Sequence, residues 1–177
     1  MLKVYKPTMH AKSIFEIDID FFLYKGIRIL FMDLDNTLDS YKTPLPSERV
    51  INFIEKLKVN CIKPIIISNN NGKRVKTYAK ELGIDYLPNA GKPFGKIIEK
   101  FIKFREYDKS EIMMIGDQTT TDVAAGNNAG LVTILTDPIV KEDQLRTRFN
   151  RIFDKYYRKQ LIKNNELKEW KEFYGKN

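Results

Sequence analysis

The chain has 177 residues, 42% of them hydrophobic and 31% charged, which suits one domain with an ordinary core and excludes a disordered segment. A single cysteine, Cys61, and a single histidine, His10, leave no parts for an internal disulfide, a zinc cluster or a histidine-based triad. The formal charge of +8 favours an anionic partner (nucleic acid, an anionic membrane surface or a phosphorylated substrate), although a Lys-rich solvated surface gives the same balance.

The N-terminal stretch carries Lys3, Lys6, His10 and Lys12 with no long apolar run behind them, so no secretory signal is expected and a cytoplasmic location is the default. Residues 29–32 and 65–67 are apolar runs too short to cross a bilayer. Residues 27–35 predict a mostly buried strand, and residues 47–58 an amphipathic helix with Ser47 as its cap. Residues 63–68 predict a second strand, its isoleucines buried on both faces. Residues 73–82 predict a helix stopped at Gly83.

A brief third strand is expected over residues 86–89. Pro93 then suits the first turn of a helix running to about Arg105, with Phe94, Ile97, Ile98, Phe101 and Ile102 at helical spacing. Residues 112–116 read as a fourth strand, 122–129 as a short helix and 131–135 as a fifth strand. Repeated β-α units predict an α/β fold: a central parallel sheet with helices on both faces.

Residues 141–177 differ in character. Eleven Lys/Arg against six Asp/Glu place a balance of +5 there, beside Phe149, Ile152, Phe153, Tyr156 and Tyr157 at spacings of three and four. This segment is expected to be a basic helical extension, packed on or appended to a core over residues 1–140 whose first 26 residues are a lead-in. Its aromatics are expected in the core, with Leu161, Ile162, Leu167, Trp170 and Phe173 continuing the apolar component.

In open parallel sheets ligands bind at the carboxyl ends of the strands. Asp33 and Asp35 end the first predicted strand, Ser68 the second, Lys92 follows the third and Asp117 ends the fourth. Two carboxylates at a strand end can split roles, one as nucleophile and one as general acid then base. So acidic a site would repel a phosphate unless a metal and other cations offset it. Taken singly, Ser68 reads as a turn residue, Lys92 as a solvated lysine and Asp122 as a helix N-cap. Asn70, Asn71 and Gln118 fit turns as well as a site lining.

Asp33-Leu34-Asp35-Asn36-Thr37-Leu38, then Ser68-Asn69-Asn70, Gly91-Lys92-Pro93 and Gly116-Asp117-Gln118 through Thr121-Asp122, occur in the order of the haloacid dehalogenase (HAD) superfamily motifs. Together they resemble the YqeG family of subfamily IIIA HAD phosphatases over roughly residues 1–140, related to phosphatidylglycerophosphate phosphatases. The resemblance implies a three-layer Rossmann-like fold and a Mg2+-dependent phosphatase with an aspartyl-phosphate intermediate. Asp33 would be nucleophile and metal ligand, and Asp35 the acid/base, its backbone carbonyl on the metal. Ser68 and the backbone N–H of Asn69 would hold the phosphoryl oxygens, Lys92 would neutralise charge, Asp117 would complete the metal site and Asp122 would support it. The gaps between motifs leave no room for a sizeable cap domain. An open site suits a bulky substrate: a lipid headgroup such as phosphatidylglycerophosphate, a protein or a nucleic-acid end. The alternative is a nucleic-acid-associated protein, or a nucleotide or RNA-end phosphatase, using the basic tail.

Overall fold

The computed structural model describes residues 3–70, 72–140 and 148–174, with the side chains of residues 148–151 left aside. Its strands are β1 (Met9–Ala11), β2 (Ile29–Met32), β3 (Lys63–Ile67), β4 (Asp85–Leu87), β5 (Ile112–Gly116) and β6 (Val132–Thr136). They form one sheet in the order β1-β6-β5-β2-β3-β4, every neighbouring pair parallel. A parallel strand at the centre of such a sheet is covered on both faces, which is why β2, β3 and β5 are nearly continuous apolar runs.

Alternation along those strands sorts their side chains into two cores. Leu30, Met32, Ile66, Met113, Ile115 and Ile134 face α1 (Ile19–Tyr24), α2 (Glu48–Val59) and α3 (Lys73–Leu82). Ile29, Phe31, Ile65, Ile67, Ile112 and Met114 face α4 (Lys96–Phe104) and α5 (Ala124–Asn128). Helices therefore cover both faces, as the β-α pattern predicts. Between Asp33 and Ser68 stand one helix and one strand, and between Ser68 and Lys92 the same, so no cap domain interrupts the fold.

Departures from the sequence pattern have local causes. α4 starts at Lys96, and Pro93 lies outside its first turn, following a cis Lys92–Pro93 peptide. Gly95 caps the helix at φ +74°, where a Cβ would stand 2.9 Å from the Ala129 backbone nitrogen, so glycine is required there. Ser47 occupies the N-cap position of α2, but its side chain makes no capping bond; its N–H donates to Asp39 Oδ2 instead. The short helix expected over 122–129 opens with a wider turn, Thr119–Val123, whose bonds skip five residues. Strand β1 and helix α1, inside the expected lead-in, are too short to show a period.

The C-terminal helix α6 (Arg148–Lys163) and the turn after it return to the sheet. Leu161 and Trp170 are buried, and Trp170 packs edge-on against Phe21 at 5.1 Å. Tyr157 stacks on Tyr5. The expectation that the tail's aromatics are core fails for Phe153 and Tyr156, which are 59% and 56% exposed, while Phe149 lies outside the described side chains.

His10 joins this C-terminal segment to β1. Its backbone N–H donates to Lys168 O, and its ring nitrogens reach Glu169 Oε1 at 2.9 Å and Asp137 Oδ1 at 3.1 Å. Burial alone would lower the His10 pKa, but Asp137 and Glu169 outweigh it and hold it above the usual value of 6.5. A group whose folded pKa is raised stabilises the fold fully below its unfolded pKa, and that stabilisation fades as pH rises through the folded value. Urea denaturation should therefore find His10→Gln more destabilising relative to wild type near pH 6 than near pH 9. An equal difference at both would remove the ion-pair account.

Candidate active site at the carboxyl edge of the sheet

Asp33 extends the β2 ladder by one bond, its N–H donating to Ile115 O at 2.9 Å. The chain then turns: Asn36 takes φ +69°, its N–H bonds to Asp39 O at 2.7 Å, and Leu34 and Leu38 anchor the turn in the core. The turn separates the two carboxylates. Asp33 points to Lys92, and Asp35 points to the loop before α3 and its first turn, where Asn70 Nδ2 donates to Oδ2 at 2.7 Å and Arg74 Nη1 to Oδ1 at 2.5 Å. Side chains two apart on a regular strand would share a face.

Lys92 is buried and donates three bonds: to Asp33 Oδ1 at 2.5 Å, Asp122 Oδ1 at 2.6 Å and Ile67 O at 3.1 Å. Burial alone would lower its pKa, but Asp122 and Asp33 outweigh this and hold the ammonium charged above its usual range. Asp33, Asp117 and Asp122 are buried, with one oxygen from each within 4.8 Å of the others. The carboxylates of Asp33 and Asp122 hold the Lys92 ammonium between them, and the Asp117 carboxylate stands beside that group. The Asp33 carboxyl is accordingly pushed well above the usual range, by burial first and then by Asp122, Asp117 and Asp35, against the pull of Lys92.

Ser68 closes β3, buried, its N–H on Leu87 O and its Oγ accepting the Asn70 N–H at 3.2 Å. Asn69 holds the lysine's backbone in both directions: its Nδ2 donates to Lys92 O at 2.9 Å and its Oδ1 accepts the Lys92 N–H at 2.8 Å. Ser68, Asn69 and Lys92 are thus joined at one strand end. Asn70 contacts Asp35, and Asn71 lies outside the described residues.

Asp117 directly follows β5 and is fully buried. Asp122 spends both oxygens inside the protein: Oδ1 on Lys92, Oδ2 accepting the Gln118 N–H at 3.1 Å and Thr121 Oγ1 at 3.3 Å. It packs so closely on Gly116 that any Cβ there would overlap its side chain, which explains glycine before Asp117.

Three further residues hold this site without any local signal in the sequence. Arg74, on the first turn of α3, also donates to Ser40 O and Thr43 O, tying the Asp35 turn to the loop after it. From α6, the buried Asp154 accepts both the Thr119 N–H at 2.6 Å and its Oγ1 at 2.8 Å. One turn on, Arg158 donates to Asp154 Oδ2, Asp137 Oδ1 and the backbone carbonyls of Asp117 and Thr136. The acidic loop after β5 is therefore clamped by a helix more than thirty residues downstream.

The chain is similar to several known proteins. Residues 5–130 match the family model of haloacid dehalogenase-like hydrolases. The chain is 35% identical to the protein named "Probable phosphatase YqeG" of Bacillus subtilis (strain 168), over 96% of this chain and 98% of that one. It is 26% identical over 78% of its length to the chloroplastic/mitochondrial phosphatidylglycerophosphate phosphatase 1 of Arabidopsis thaliana, spanning 42% of that longer protein. A solved 3-deoxy-D-manno-octulosonate 8-phosphate phosphatase from Moraxella catarrhalis, with magnesium, phosphate and its sugar, shares the fold at TM-score 0.53. That match has 21% identity and covers 68% of this chain and 75% of that one.

Removing the Asp154 carboxylate leaves two buried donors on Thr119 and the Arg158 guanidinium without partners they now have. Asp154→Ala should cost about 2–4 kcal/mol in urea denaturation. A loss below about 0.5 kcal/mol, the range of an ordinary surface change, would contradict the clamp.

Proposed function

The chain belongs to the haloacid dehalogenase-like hydrolase family, and from that premise we propose that it is a Mg2+-dependent phosphomonoester hydrolase working through an aspartyl-phosphate on Asp33. The observation that carries the reading is the cluster at the strand ends, where the buried carboxylates of Asp33, Asp117 and Asp122 lie within 4.8 Å of one another and Lys92 bridges two of them.

The residues fit a hard divalent cation. Their donors are carboxylate oxygens, as Mg2+ prefers, and one oxygen from each of the three lies within 4.8 Å of the others. Because Asp122 has both oxygens engaged by Lys92, Gln118 and Thr121, the ion would fall to Asp33 and Asp117, with the backbone carbonyl of Asp35 as the family resemblance implies. When bound, the ion would polarise the phosphoryl group and screen it from the carboxylates.

The chain's own residues divide the remaining work. An Asp33 oxygen attacks phosphorus as the bond from phosphorus to the alcohol oxygen breaks, and Asp35 supplies that oxygen's proton. Water then attacks phosphorus, Asp35 takes its proton, and Asp33 is freed as inorganic phosphate leaves. Lys92 offsets charge on the nucleophile and the phosphoryl oxygens, while Ser68 and the Asn69 N–H donate to those oxygens. Arg74 and Asn70 hold Asp35 on the leaving-group side, away from Asp33.

Among substrates, phosphatidylglycerophosphate is the one we favour. Its support is the capless site, which admits a substrate bringing its own bulk, and the resemblance to the Arabidopsis phosphatase named for that lipid. Among the described residues no helix is long and apolar enough to cross a membrane, so a lipid substrate would be met at the surface.

Asp33→Asn should lower turnover by at least about a thousandfold on every phosphomonoester, and chelation of Mg2+ should abolish wild-type activity until the ion is restored. Asp35→Asn should cost far more on an alkyl phosphate than on p-nitrophenyl phosphate, whose leaving group needs no proton. Equal turnover by Asp33→Asn would sink the mechanism. Phosphate release from phosphatidylglycerophosphate vesicles no faster than from soluble phosphomonoesters would sink the substrate.

A further inference from the structure

Helix α6 has two unlike faces. Asp154, Arg158 and Leu161 point inward, clamping the loop of Asp117 and reaching the core. On the opposite face Ile152, Phe153, Tyr156 and Ile162 are 63%, 59%, 56% and 66% exposed. Lys155, Lys159 and Lys163 are exposed among them. At 100° per residue, Ile152, Tyr156, Lys159 and Lys163 fall on one outward stripe, flanked by Phe153 on one side and by Lys155 and Ile162 on the other.

We propose that this outward face of α6 lies in the interface of an anionic lipid bilayer, seating the catalytic edge of the sheet at headgroup level. An amphipathic helix with aromatic and aliphatic side chains beside lysines is the pattern that binds such surfaces, the apolar groups entering the headgroup boundary and the ammonium groups meeting lipid phosphates. Exposed large apolar side chains grouped this closely also need a physical occupant.

Two other occupants fit less well. A second copy of the helix packed about a two-fold axis would set Lys155, Lys159 and Lys163 against their own equivalents. A nucleic acid would use the lysines and Tyr156 but gain nothing from Ile152 and Ile162. The rim of the site adds to the argument. Phe94, 73% exposed, stands two residues beyond Lys92, and Ile139, 45% exposed, donates its N–H to the carbonyl of Asn36 beside Asp35. Apolar groups thus stand out next to two of the catalytic segments as well as on α6.

The inference leans on the lipid-phosphate reading above for its biochemical sense, but its test does not. The full chain is mixed with vesicles of phosphatidylcholine alone or with added phosphatidylglycerol, and bound protein is separated by flotation. Wild type should float with the anionic vesicles, remain behind with the neutral ones, and lose binding as salt is raised. The triple variant K155E/K159E/K163E should partition on the order of a hundredfold less. F153S/Y156S should also lose binding. Both variants should hydrolyse p-nitrophenyl phosphate like wild type, because these exposed side chains are not among those that bond the site residues.

Equal flotation with both vesicle types, or undiminished flotation of the triple variant, would overturn the proposal. So would lysine-dependent retention on an RNA oligonucleotide, or a lysine-dependent dimer in sedimentation, without vesicle binding. Should wild type hydrolyse no phosphate ester at all, the phosphatase reading fails while the flotation result still decides this one.

Discussion

The ammonium of Lys92, 4% exposed, is held between the carboxylates of Asp33 and Asp122. Taking these charges out of water is costly, and breaking such a buried pair costs about 3–5 kcal/mol, so the three side chains fix one another's positions. They come from the end of β2, the loop before α4 and the turn before α5, which means that one ion network pins three separate chain segments together. Asp117 adds a further buried carboxylate beside this network. Carboxylate oxygens grouped this closely form a donor set that could hold a metal ion, which is the use that the proposed function makes of them.

The sheet makes this network inevitable once its strand order is set. With β2 between β3 and β5, the segments leaving those strands must converge on one edge, and every crossover returns its chain to the opposite edge. The apolar strands need both faces covered, so helices occupy the faces and the polar residues are left at the carboxyl end. Small residues permit the convergence: Gly116 makes room for Asp122, and Gly95 lets the Lys92 loop pass the end of α5.

Elements with a strong pattern were legible before any coordinates. β3, β5 and α3 match their expected residues closely, because runs such as Ile65-Ile66-Ile67 and the Gly83 stop at φ +58° are local signals. So was the grouping of Asp33, Asp35, Ser68, Lys92 and Asp117 at one edge, since each stands near the end of an element, while Asp122 joined them only through the family resemblance. What was not legible depends on distance along the chain. Arg74 pairs with Asp35 across 39 residues, and Asp154 pairs with Thr119 across 35, spacings at which no period or motif carries information. Pro93 suits a helix's first turn by its own φ, yet α4 starts at Lys96, behind a left-handed Gly95 whose close approach to Ala129 no local pattern announces.

The split between Asp33 and Asp35 is what the proposed mechanism needs in order to give the two acids different work. If the strand had run on, both carboxylates would share a face, repel each other and compete for Lys92. The turn at Asn36 sends Asp35 to Arg74 and Asn70 instead, so each carboxylate has its own cationic partner. Arg74 in turn holds the carbonyls of Ser40 and Thr43, just as Arg158 holds those of Asp117 and Thr136. Both acidic loops are therefore stapled by a guanidinium from a helix outside them, whose planar fork can reach a carboxylate and neighbouring carbonyls at once, as a lysine could not. On α6 that staple shares a helix with a basic, apolar outer face. Whatever that face meets bears on the same rigid element that sets the carbonyl of Asp117.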